Sequence, residues 1–389
     1  MKIIIAPDSF KESLTAAEVS QAIEKGFKSI FPSAEYVKLP MADGGEGTVQ
    51  ALVYATGGKV ISKIVTGPLG EPITSLFGIL GDGKTAIIEM AAAAGLDQMP
   101  KEKRNPLITT SYGVGELILE ALNHKVEKII IGLGGSATND AGAGMLQALG
   151  VSFLTEEGNE IGLGGGELRK IRTIDISGLD RRLKSISFEV ACDVDTPMVG
   201  QKGASAIFGP QKGATPEMVV LLDNCLDHFA DCIQQTFGKD IRNLPGTGAA
   251  GGLGGGIIAF LKAELKSGID IVIEATRLLE HLADADLVIT GEGKIDHQTI
   301  FGKTPIGVAK AAKKYNLPVI AIAGQLGFDS NAVKNHGIDA LFSIVPGVVG
   351  LDAALKNAGQ YVERCAENIG TSIRIGNNWS LIKKEAIKS

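Results

Sequence analysis

Short apolar segments alternate with amphipathic helical segments at both ends of the chain, and this alternation restricts the fold more than any other feature. Apolar runs of this length are typical of strands that are buried on both faces. One helical segment begins at the capping box Thr15-Ala16-Ala17-Glu18, and others are expected at Thr304-Pro305, after Ser330 and over residues 351–369. Strands that alternate with helices favour a parallel sheet, so we expect a doubly wound domain built from both chain ends. Its predicted strands are 2–6, 36–39, 287–290, 319–323 and 341–345.

The middle of the chain has a different pattern, in which predicted strands are separated by very short turns. Gly67-Pro68-Leu69-Gly70 and Gly81-Asp82-Gly83 are turns of this kind, and connections this short join antiparallel neighbours. A long helix is predicted from Pro216 to about Phe237. The predicted strands of this part are 59–65, 73–80, 84–90, 128–131 and 187–192.

Length and pattern together predict two α/β domains. A single hydrophobic core stops growing at about 250–300 residues, and the chain has 389. We expect residues 1–60 and 280–389 to form the doubly wound parallel-sheet domain. Residues 61–279 are then a second, mixed α/β domain that interrupts it.

The charge and residue composition exclude several classes of protein. The chain has 38 basic and 44 acidic residues and a formal net charge of −6, whereas a nucleic-acid-binding protein needs a basic surface. The most apolar stretch, residues 86–96, contains Glu89 and is shorter than the ~20 residues that cross a bilayer. The first residues lack the long apolar segment of a signal peptide, and the four cysteines have no zinc-binding spacing. We therefore expect a cytoplasmic protein without membrane or nucleic-acid partners.

Glycine is unusually abundant and is clustered along the chain. It accounts for 51 of 389 residues, where about 7% is average. The clusters interrupt well-patterned segments, which suggests backbone loops that approach a ligand, or tight turns. They lie at 44–47, 132–135, 142–144, 162–166, 246–256 and 291–293.

Three charged, glycine-rich loops follow predicted strands of the doubly wound domain. In an open parallel sheet, ligands bind beyond the carboxyl ends of the strands, so the loops after residues 6, 39 and 290 should meet at one edge. Loops are often polar for reasons of turn chemistry alone, but three of them on one edge favour a site. Together they contribute Asp8, Lys11, Asp43, Glu46, Glu292, Lys294 and Asp296.

Two glycine-rich segments of the inserted domain are candidate phosphate-binding loops. Residues 129–140 lead from a strand through Gly132-Leu133-Gly134-Gly135 into a helix predicted at 141–149, and free N–H groups at a helix start favour an anion. Residues 246–256 contain a formal Gly-x-Gly-x-x-Gly match before an apolar helix, although no strand is predicted before it. Close packing of helices and strands is the alternative explanation for both segments.

Two further motifs bear on the chemistry of the site. Cys192-Asp193-Val194-Asp195-Thr196-Pro197 follows a predicted strand, and its carboxylates could share Mg²⁺ or one could act as a base toward an alcohol. An Asx turn before Pro197 is the alternative. Gly302-Lys303-Thr304 is not a P-loop, because the position five residues before Gly302 is His297 rather than glycine.

These residue types together match the requirements of phosphoryl transfer. The reaction needs loops that position phosphates, cations that neutralise charge, and a base for the acceptor hydroxyl. A cleft between two domains would also let closure exclude water, which otherwise takes the phosphoryl group. We therefore expect the active site in the interdomain cleft.

Several long segments occur in an order that matches one known family. They are Ala6-Pro7-Asp8-Ser9-Phe10-Lys11, Met41-Ala42-Asp43-Gly44-Gly45-Glu46-Gly47-Thr48, residues 132–144, residues 192–197, Phe208-Gly209-Pro210-Gln211-Lys212-Gly213, residues 251–256 and residues 290–296. Through these segments the chain resembles the type I glycerate kinase family over essentially its whole length. The resemblance implies ATP and Mg²⁺ as cosubstrates and D-glycerate as acceptor, with 2-phosphoglycerate favoured over 3-phosphoglycerate. It also implies a Rossmann-like domain interrupted by the second domain.

The resemblance does not assign the individual roles, so we hypothesise a role for each candidate residue from the requirements of phosphoryl transfer. Asp193 is the expected base or metal-linked carboxylate near the acceptor hydroxyl. Lys11 and Lys294 should neutralise charge on the phosphoryl group or on the glycerate carboxylate. The expected Mg²⁺ ligands are Asp43, Glu292 and Asp296. Substrate and phosphate contacts are expected from Asp8, Ser9, Ser136, Thr138, Asn139, Gly251, Gly252, Gly254, Gly255 and Gly256.

Two other classes of protein are alternatives to a kinase. An NAD-dependent hydroxyacid dehydrogenase requires Gly-x-Gly-x-x-Gly directly after a strand and an acidic residue about 20 positions on, and no segment meets both conditions. A non-enzymatic hydroxy-acid-binding protein would need no such concentration of carboxylates. The sequence gives no indication of the oligomeric state.

Overall fold

The structure, a computed structural model, describes residues 1–386, with side chains described through residue 378. The chain forms two compact units. The first contains Met1–Asp43 and the residues from Val272 onward, and the second contains Gly44–Ile271. Each unit combines helices with a sheet that contains parallel strands, so the predicted α/β class is confirmed.

Strands and helices alternate along most of the chain, and short 3₁₀ turns join several of them. The strands are β1 (Lys2–Ile5), β2 (Glu35–Lys38), β3 (Lys59–Thr66), β4 (Pro72–Ile79), β5 (Thr85–Glu89), β6 (Lys128–Gly132), β7 (Ser152–Leu154), β8 (Thr173–Asp175), β9 (Ser187–Ala191), β10 (Glu264–Lys266), β11 (Leu287–Ile295), β12 (Val319–Leu326) and β13 (Ala340–Ser343). The α-helices are α1 (Ala16–Lys28), α2 (Thr48–Thr56), α3 (Ala91–Ala94), α4 (Tyr112–Asn123), α5 (Ala143–Ala148), α6 (Ala204–Phe208), α7 (Pro216–Phe237), α8 (Leu253–Leu261), α9 (Gly268–Ala275), α10 (Leu278–Leu282), α11 (Thr304–Lys313), α12 (Leu351–Lys356) and α13 (Ala358–Ala386).

The sheet of the first unit contains the five strands β13-β12-β11-β1-β2 in that order, and each neighbouring pair is parallel. From β1 the chain winds outward to β2, whereas from β11 it winds outward in the opposite direction to β13. The neighbours β1 and β11 therefore mark the point at which the winding reverses, with Ile5 opposite Ile289. Open α/β sheets bind ligands beyond the carboxyl ends of the strands at such a point.

Both faces of this sheet are buried, as expected for a doubly wound arrangement. Ile3 and Ile5 pack with residues of α1 and α13 in one core, and Ile4, which points to the opposite face, is also fully buried. Helix α1 begins at the predicted capping box and packs along α13. Gly26 permits this close contact, because a Cβ there would lie 2.2 Å from the carbonyl oxygen of Glu363.

The second unit contains a six-stranded mixed sheet in the order β10-β9-β6-β5-β4-β3. Strands β3, β4 and β5 are antiparallel neighbours joined by the two predicted short turns, whereas β5, β6, β9 and β10 run parallel. Ile129 and Ile131 of β6 belong to a core shared with Leu117 of α4 and Leu226 of α7. The carboxyl ends of β5, β6 and β9 therefore lie at the same edge of the sheet.

Strand β11 is longer than the prediction of 287–290. It continues to Ile295 because residues 291–295 still pair with β12, with Glu292 opposite Ala323 and Lys294 opposite Gln325. Gly291 makes this pairing possible, since a Cβ there would lie 2.3 Å from the carbonyl oxygen of Ile322. Most of the segment predicted as a loop is therefore strand.

Three predicted helices also differ from the structure. The helix predicted at 351–369 is divided at Asn357 into α12 and α13. Only a 3₁₀ turn, Ser330–His336, follows Ser330, and it ends at Gly337 with a φ of 100°. The helix predicted at 141–149 is the shorter α5, because Gly142 before it has a φ of 74° and cannot belong to a right-handed helix.

The boundaries between the two units, at residues 43/44 and 271/272, differ from the predicted boundaries at 60/61 and 279/280. Residues 44–60 belong to the second unit because α2 packs on β3, β4 and β5. The Val49 N–H of α2 also donates to Oε1 of Glu89 on β5 at 2.8 Å. Residues 272–279 belong to the first unit. A contiguous helix, α9, contains the second boundary, so secondary structure alone does not reveal it.

Two negative findings concern the described residues. None of their helices combines the length and the apolarity that are needed to cross a bilayer. Cys192, Cys225, Cys232 and Cys365 are all free thiols.

Candidate active site

Asp8 lies directly beyond the carboxyl end of β1, where the winding of the first sheet reverses. Its backbone N–H donates to the carbonyl oxygen of Gly291 on β11 at 2.8 Å. The carboxylate oxygen Oδ1 accepts the Ser9 N–H at 2.6 Å, and Oδ2 accepts the Thr304 hydroxyl at 2.7 Å. The loop after β1 and the start of α11 therefore orient this side chain together.

Glu292 occupies the neighbouring position on β11 and is only 8% exposed. Its Oε1 accepts the Thr299 hydroxyl at 2.6 Å, and its Oε2 accepts a hydrogen bond from Lys303 Nζ at 3.2 Å. Lys303 immediately precedes α11. Consecutive residues, Lys303 and Thr304, thus hold a carboxylate within β11 and a carboxylate just beyond the neighbouring strand β1.

Asp8, Asp43 and Glu292 form an electrostatically coupled group of carboxylates in the first unit. Burial raises the pKa of Asp8 to about 6, the charge of Asp43 adds to this effect, and the hydrogen bonds to Asp8 oppose it. Burial also raises the pKa of Glu292, its hydrogen bonds lower it, and Asp43 again raises it. A cation or a proton would relieve this mutual repulsion.

Lys294 and Asp296 are engaged with each other. Lys294 Nζ lies 2.9 Å from Asp296 Oδ2. The hydrogen bond from Lys294 is the main reason that the pKa of Asp296 is lowered. Asp296 also accepts the Gln298 N–H at 2.9 Å and begins the 3₁₀ turn His297–Ile300. A structural role for Asp296 was not predicted.

The loop between β1 and α1 brings Ser9 and Lys11 to the same edge of the first sheet as Glu292. The Lys11 side chain is exposed, and its backbone lies beside β11, since a Cβ on Gly293 would be 3.5 Å from the Lys11 nitrogen. Glu12 has a φ of 63°, in the left-handed region. Strained residues of this kind occur often at functional sites.

The predicted Mg²⁺ ligands suit a hard cation in chemistry without forming a complete cage. Mg²⁺ prefers oxygen ligands and usually takes one or two carboxylates together with phosphates and water. Within the described part of the chain, no group of three or more His, Cys, Asp or Glu side chains has the arrangement of a metal site. Asp43 and Glu292 belong to the coupled group, whereas Asp296 is paired with Lys294. The carboxylates thus fit a cation that is bound mainly through phosphates.

In the second unit, the loop after β6 leads into α5, but a carboxylate of the chain already lies at the start of this helix. Asp140 is fully buried. It accepts the N–H groups of Gly142 at 3.1 Å and Gly144 at 3.4 Å, and both the N–H and the hydroxyl of Ser111 at 2.8 Å. Burial raises the pKa of Asp140, and these hydrogen bonds counteract that effect. The Asp140 carboxylate thus lies at the helix start where the sequence predicts a phosphate, and phosphate binding by this loop stays a prediction.

The start of α2 has a similar arrangement. The glycine-rich loop 44–47 precedes the helix, and Glu89, the last residue of β5, accepts the Val49 N–H at 2.8 Å. Burial raises the pKa of Glu89, and hydrogen bonds from the backbone of Val49, Gly47 and Thr48 lower it. Two glycine-rich helix starts of the second unit are therefore capped internally by acidic side chains.

Ser136, Thr138 and Asn139 lie close to Lys212, a residue with no predicted role. Lys212 Nζ donates to Ser136 Oγ at 2.8 Å and to the Thr138 carbonyl oxygen at 2.7 Å. Asn139 Nδ2 donates to Ser205 Oγ at 3.0 Å. The Thr138 hydroxyl and Asn139 Oδ1 are buried without a hydrogen-bond partner among the described residues. Such groups are rare, and they mark this loop as a place where a ligand or water is needed.

The glycines at 251–256 pack tightly against the loop after β6. A Cβ on Gly251, which has a φ of 68°, would lie 2.0 Å from the Thr138 carbonyl oxygen. Four of the following N–H groups donate to backbone carbonyl oxygens of the same unit and are not free for phosphate in this structure. Close packing therefore accounts for these glycines, and phosphate binding by them stays a prediction. The four N–H groups belong to Gly252, Gly254, Gly255 and Gly256.

The formal dinucleotide motif at residues 246–251 lacks the required context. The chain between α7 and α8 contains no strand, and the Gly248 N–H donates to the Thr196 carbonyl oxygen at 2.9 Å. A Rossmann fingerprint would lie between a strand and a helix. The structure thus gives no support to the dehydrogenase alternative.

Asp193 lies just beyond β9, at the sheet edge that also carries Glu89 and the glycine loop after β6. Its Oδ1 accepts the Gly268 N–H at 3.0 Å, and its side chain is exposed. Gly44 packs on Ala191 of the same strand, since a Cβ on Gly44 would lie 2.5 Å from the Ala191 Cβ. A carboxylate oriented in this way can accept a proton from an alcohol.

Several residues of these sites were missed by the sequence analysis. From the sequence, Thr304 has only a place at a helix start and Lys303 only a place in a rejected P-loop, and no site role is predicted for either residue. Their position at the start of the helix after the charged 291–299 segment was the available signal. Lys212 and Asp140 both lie in segments that carry the family resemblance, but nothing in their sequence context distinguishes them from surface residues.

Comparison with known proteins gives matches over almost the whole chain. The model of the glycerate kinase family matches residues 3–374. A glycerate kinase of Bacillus subtilis (strain 168) is 61% identical over 382 residues, which cover 98% of this chain and 100% of that protein. A glycerate 2-kinase of Escherichia coli (strain K12) is 58% identical over 376 residues, which cover 97% of this chain and 99% of that protein.

A solved structure agrees with the fold as well. It is the crystal structure of a protein assigned as glycerate kinase 2 from Salmonella typhimurium LT2. The two chains are 54% identical with a TM-score of 0.90, and the match covers 97% of this chain and 99% of that one.

Proposed function

The chain belongs to the glycerate kinase family, and on this premise we propose that it transfers a phosphoryl group from ATP to D-glycerate, giving 2-phosphoglycerate. The observation that carries the proposal is the family match over residues 3–374. The coupled carboxylates support it independently, because Asp8 and Glu292 lie at the winding reversal of an open α/β sheet, where ligands bind, and Asp43 is coupled to both.

The first unit is proposed to bind Mg-ATP. Magnesium, which enters with ATP, neutralises phosphate charge during transfer. Asp43 and Glu292 would hold it, because their repulsion with Asp8 disappears when a cation is bound. Asp296 is the weaker candidate, since Lys294 already occupies its carboxylate. Lys303, which contacts Glu292, is proposed to stabilise negative charge together with Lys11 and Lys294.

The second unit is proposed to supply contacts to substrate oxygens. The unpartnered Thr138 hydroxyl and Asn139 Oδ1 can pair with a hydroxyl or an anionic oxygen of a ligand. Ser136 and the backbone near Gly251 border the same loop. Because residues 252–256 are closely packed, we propose that their main role is to support this loop and that any contact with a ligand is secondary.

Two carboxylates compete for the role of base toward the acceptor hydroxyl. Asp193 is exposed and is oriented by the Gly268 N–H. Asp8 has a pKa of about 6, closer to neutral pH than an ordinary carboxyl group, because it is buried beside Asp43, and such a pKa suits a general base. We favour Asp193, since Asp8 already accepts two hydrogen bonds that stabilise its charge.

The proposed reaction is tested by ³¹P NMR of the purified protein with Mg-ATP and D-glycerate. The expected result is a new phosphomonoester signal that matches 2-phosphoglycerate, with loss of the ATP γ-phosphate signal. A signal of 3-phosphoglycerate would reject the proposed position of transfer and retain the kinase. Survival of both substrates with folded protein would contradict the proposed acceptor or donor.

We also propose a cytoplasmic location and small molecules as the only substrates. Four free thiols suit a reducing compartment, and the net charge of −6 does not favour nucleic acid. Fractionation of cells that express the tagged chain tests the location, and recovery of the protein in an exported fraction would contradict it.

A further inference from the structure

One segment of the family resemblance, residues 208–213, has no role in the reaction proposed above, yet it contains a buried cation. Lys212 is 1% exposed, and lysine is almost never buried so completely without a specific partner. Its side chain ends at the loop after β6 rather than at an acidic side chain, with hydrogen bonds to Ser136 Oγ and to the Thr138 carbonyl oxygen.

The local backbone fixes the direction of Lys212. Pro210 begins a 3₁₀ turn, Pro210–Lys212, and Gly213 ends it with a φ of 90°. A Cβ on Gly213 would lie 2.3 Å from the Arg104 carbonyl oxygen, so only glycine fits this position without a shift. The Lys212 N–H closes the turn by donating to the Gly209 carbonyl oxygen at 2.9 Å.

The Ser136 backbone is also held in place. Ser136 forms an isolated antiparallel bridge with Gly95. On either side, the Leu96 N–H donates to the Gly135 carbonyl oxygen at 2.9 Å, and the Ala137 N–H donates to the Ala94 carbonyl oxygen at 2.8 Å. The backbone segments that carry Lys212 and Ser136 are therefore both fixed by hydrogen bonds, and such support maintains the geometry between the two side chains.

The direction of the hydrogen bond decides what Ser136 can do. In its protonated form Lys212 can only donate, so Ser136 Oγ then accepts from Lys212 and its own proton must point to another acceptor. Within the described structure Ser136 Oγ has no second partner. Ser136 is 7% exposed, whereas Lys212 is 1% exposed. The hydroxyl is thus the point at which the charge of Lys212 can reach a ligand.

We propose that Lys212 is a positioning residue that orients and polarises the Ser136 hydroxyl, so that this hydroxyl donates a hydrogen bond to an anionic oxygen of a substrate. The inference rests on the proposed function, because it needs a phosphoryl or carboxylate oxygen as the ligand. Lys212 itself remains behind the loop and does not touch the substrate.

The energetic cost of burying Lys212 agrees with such a role. Burial lowers the pKa of Lys212 to about 7, and the nearby Asp140 carboxylate opposes this effect. Asp140 is also committed to the start of α5 through its hydrogen bonds to Gly142 and Gly144. An anion next to Ser136 would therefore add the favourable interaction that the lysine lacks.

The test is a double-mutant cycle on Ser136→Ala and Lys212→Met, with kcat and KM measured for Mg-ATP and for D-glycerate. We expect Ser136→Ala to lower kcat/KM about 10- to 100-fold, as loss of a hydrogen bond to an anion does. Because Lys212 acts through Ser136, the double variant should be no slower than Lys212→Met alone. Ser75→Ala, which removes a buried and unpartnered hydroxyl elsewhere in the same unit, should leave the kinetics unchanged.

The kinetic constants identify the oxygen that Ser136 contacts. In Ser136→Ala, a rise confined to the KM for D-glycerate indicates a contact with the glycerate carboxylate. A rise confined to the KM for Mg-ATP indicates a contact with a phosphate of the nucleotide. A fall in kcat alone indicates a contact with the transferring phosphoryl group. Any of these supports the inference. Wild-type kinetics in Ser136→Ala would overturn it, even if Lys212→Met failed to fold. Fully additive losses in a folded double variant would also overturn it.

The proposed function is judged separately on the wild-type protein. Its failure would appear as absence of phosphoglycerate in the ³¹P NMR spectrum before any variant is made. Failure of the inference would appear in an active enzyme, as wild-type kinetics in Ser136→Ala or as fully additive losses in the double variant.

Discussion

Replacement of Asp8 by asparagine is expected to stabilise the protein at neutral pH and to have little effect below about pH 4. Asp8 keeps its proton up to a pKa of about 6 in the folded chain, against an ordinary value of 3.8. As the pH rises between these values, the unfolded chain ionises first and unfolding becomes more favourable. The wild-type protein therefore loses stability from about pH 4 to about pH 6, and the loss remains at higher pH.

The structure gives the size of this effect. The two pKa values differ by about 2, and one pKa unit corresponds to about 1.4 kcal/mol, so ionised Asp8 lowers the free energy of unfolding by about 3 kcal/mol above pH 7. Asparagine has nearly the same shape. Its carbonyl oxygen can accept the Ser9 N–H and its amide can donate to the Thr304 hydroxyl, so neither partner is left unpaired.

Urea unfolding followed by circular dichroism, with EDTA present, measures the effect from about pH 4 to about pH 8. A ¹³C NMR titration of the Asp8 carboxyl gives its pKa directly. Asp82→Asn is a control of opposite sign: although desolvation raises the pKa of Asp82, the hydrogen bonds from Thr85 and Lys84 leave it below its usual range. That variant should lose stability at neutral pH. If Asp8→Asn gains the same free energy at pH 4 and pH 8, or gains none, burial of a charge is not the cause.

Three further variants test the second unit. In urea unfolding, Gly251→Ala should destabilise the protein by about 3 kcal/mol or more, because the new Cβ would lie 2.0 Å from the Thr138 carbonyl oxygen. The control Gly238→Ala, at a glycine with a similar φ and open space around it, should destabilise it by only about 1–2 kcal/mol. Equal losses of stability in the two variants would reject the packing argument. Asp140→Asn should lower the free energy of unfolding by about 2–4 kcal/mol, because one carboxylate oxygen is replaced by an amide that faces N–H donors. Asp175→Asn, at an exposed position, should change it by under about 0.5 kcal/mol. An Asp140→Asn variant as stable as the wild type would refute the role of Asp140 at α5. Asp193→Asn should lower kcat about 100-fold or more if Asp193 is the base, with Asp195→Asn as the matched control; a kcat near that of the wild type would transfer the role to Asp8.

The sequence predicted the edges at which the candidate residues gather but not their partners. Asp8 and Glu292 were placed at one sheet edge from the strand rule alone, and in the structure Asp8, beyond the end of β1, lies beside β11, which carries Glu292. Asp8 and its partner Thr304 are 296 residues apart in the sequence, whereas Glu292 and its partner Lys303 are 11 residues apart. No local pattern encodes such a pairing, because it depends on which helix start lies over which strand end.

The glycine segments illustrate why local motifs are ambiguous. Residues 132–144 and 251–256 both have the composition of phosphate-binding loops, and a helix start does attract an anion. In the folded chain Asp140 supplies the anion for α5, and Gly251 supplies the space for the Thr138 carbonyl oxygen. Either use of glycine produces the same sequence, so only the contacts distinguish close packing from ligand binding.

The α/β class, the alternation of strands and helices, the antiparallel turns of the middle segment and the family could all be predicted before the structure was known. These features depend on hydrophobic periodicity, turn residues and ordered motifs, which are local or are read along the chain. Three other features became visible only in the folded chain: β11 continues to Ile295, Asp140 and Glu89 cap helices, and Lys212 reaches Ser136. Burial and hydrogen bonding between distant segments set these outcomes, because the free energy of a buried polar group depends on the partners that the fold brings to it.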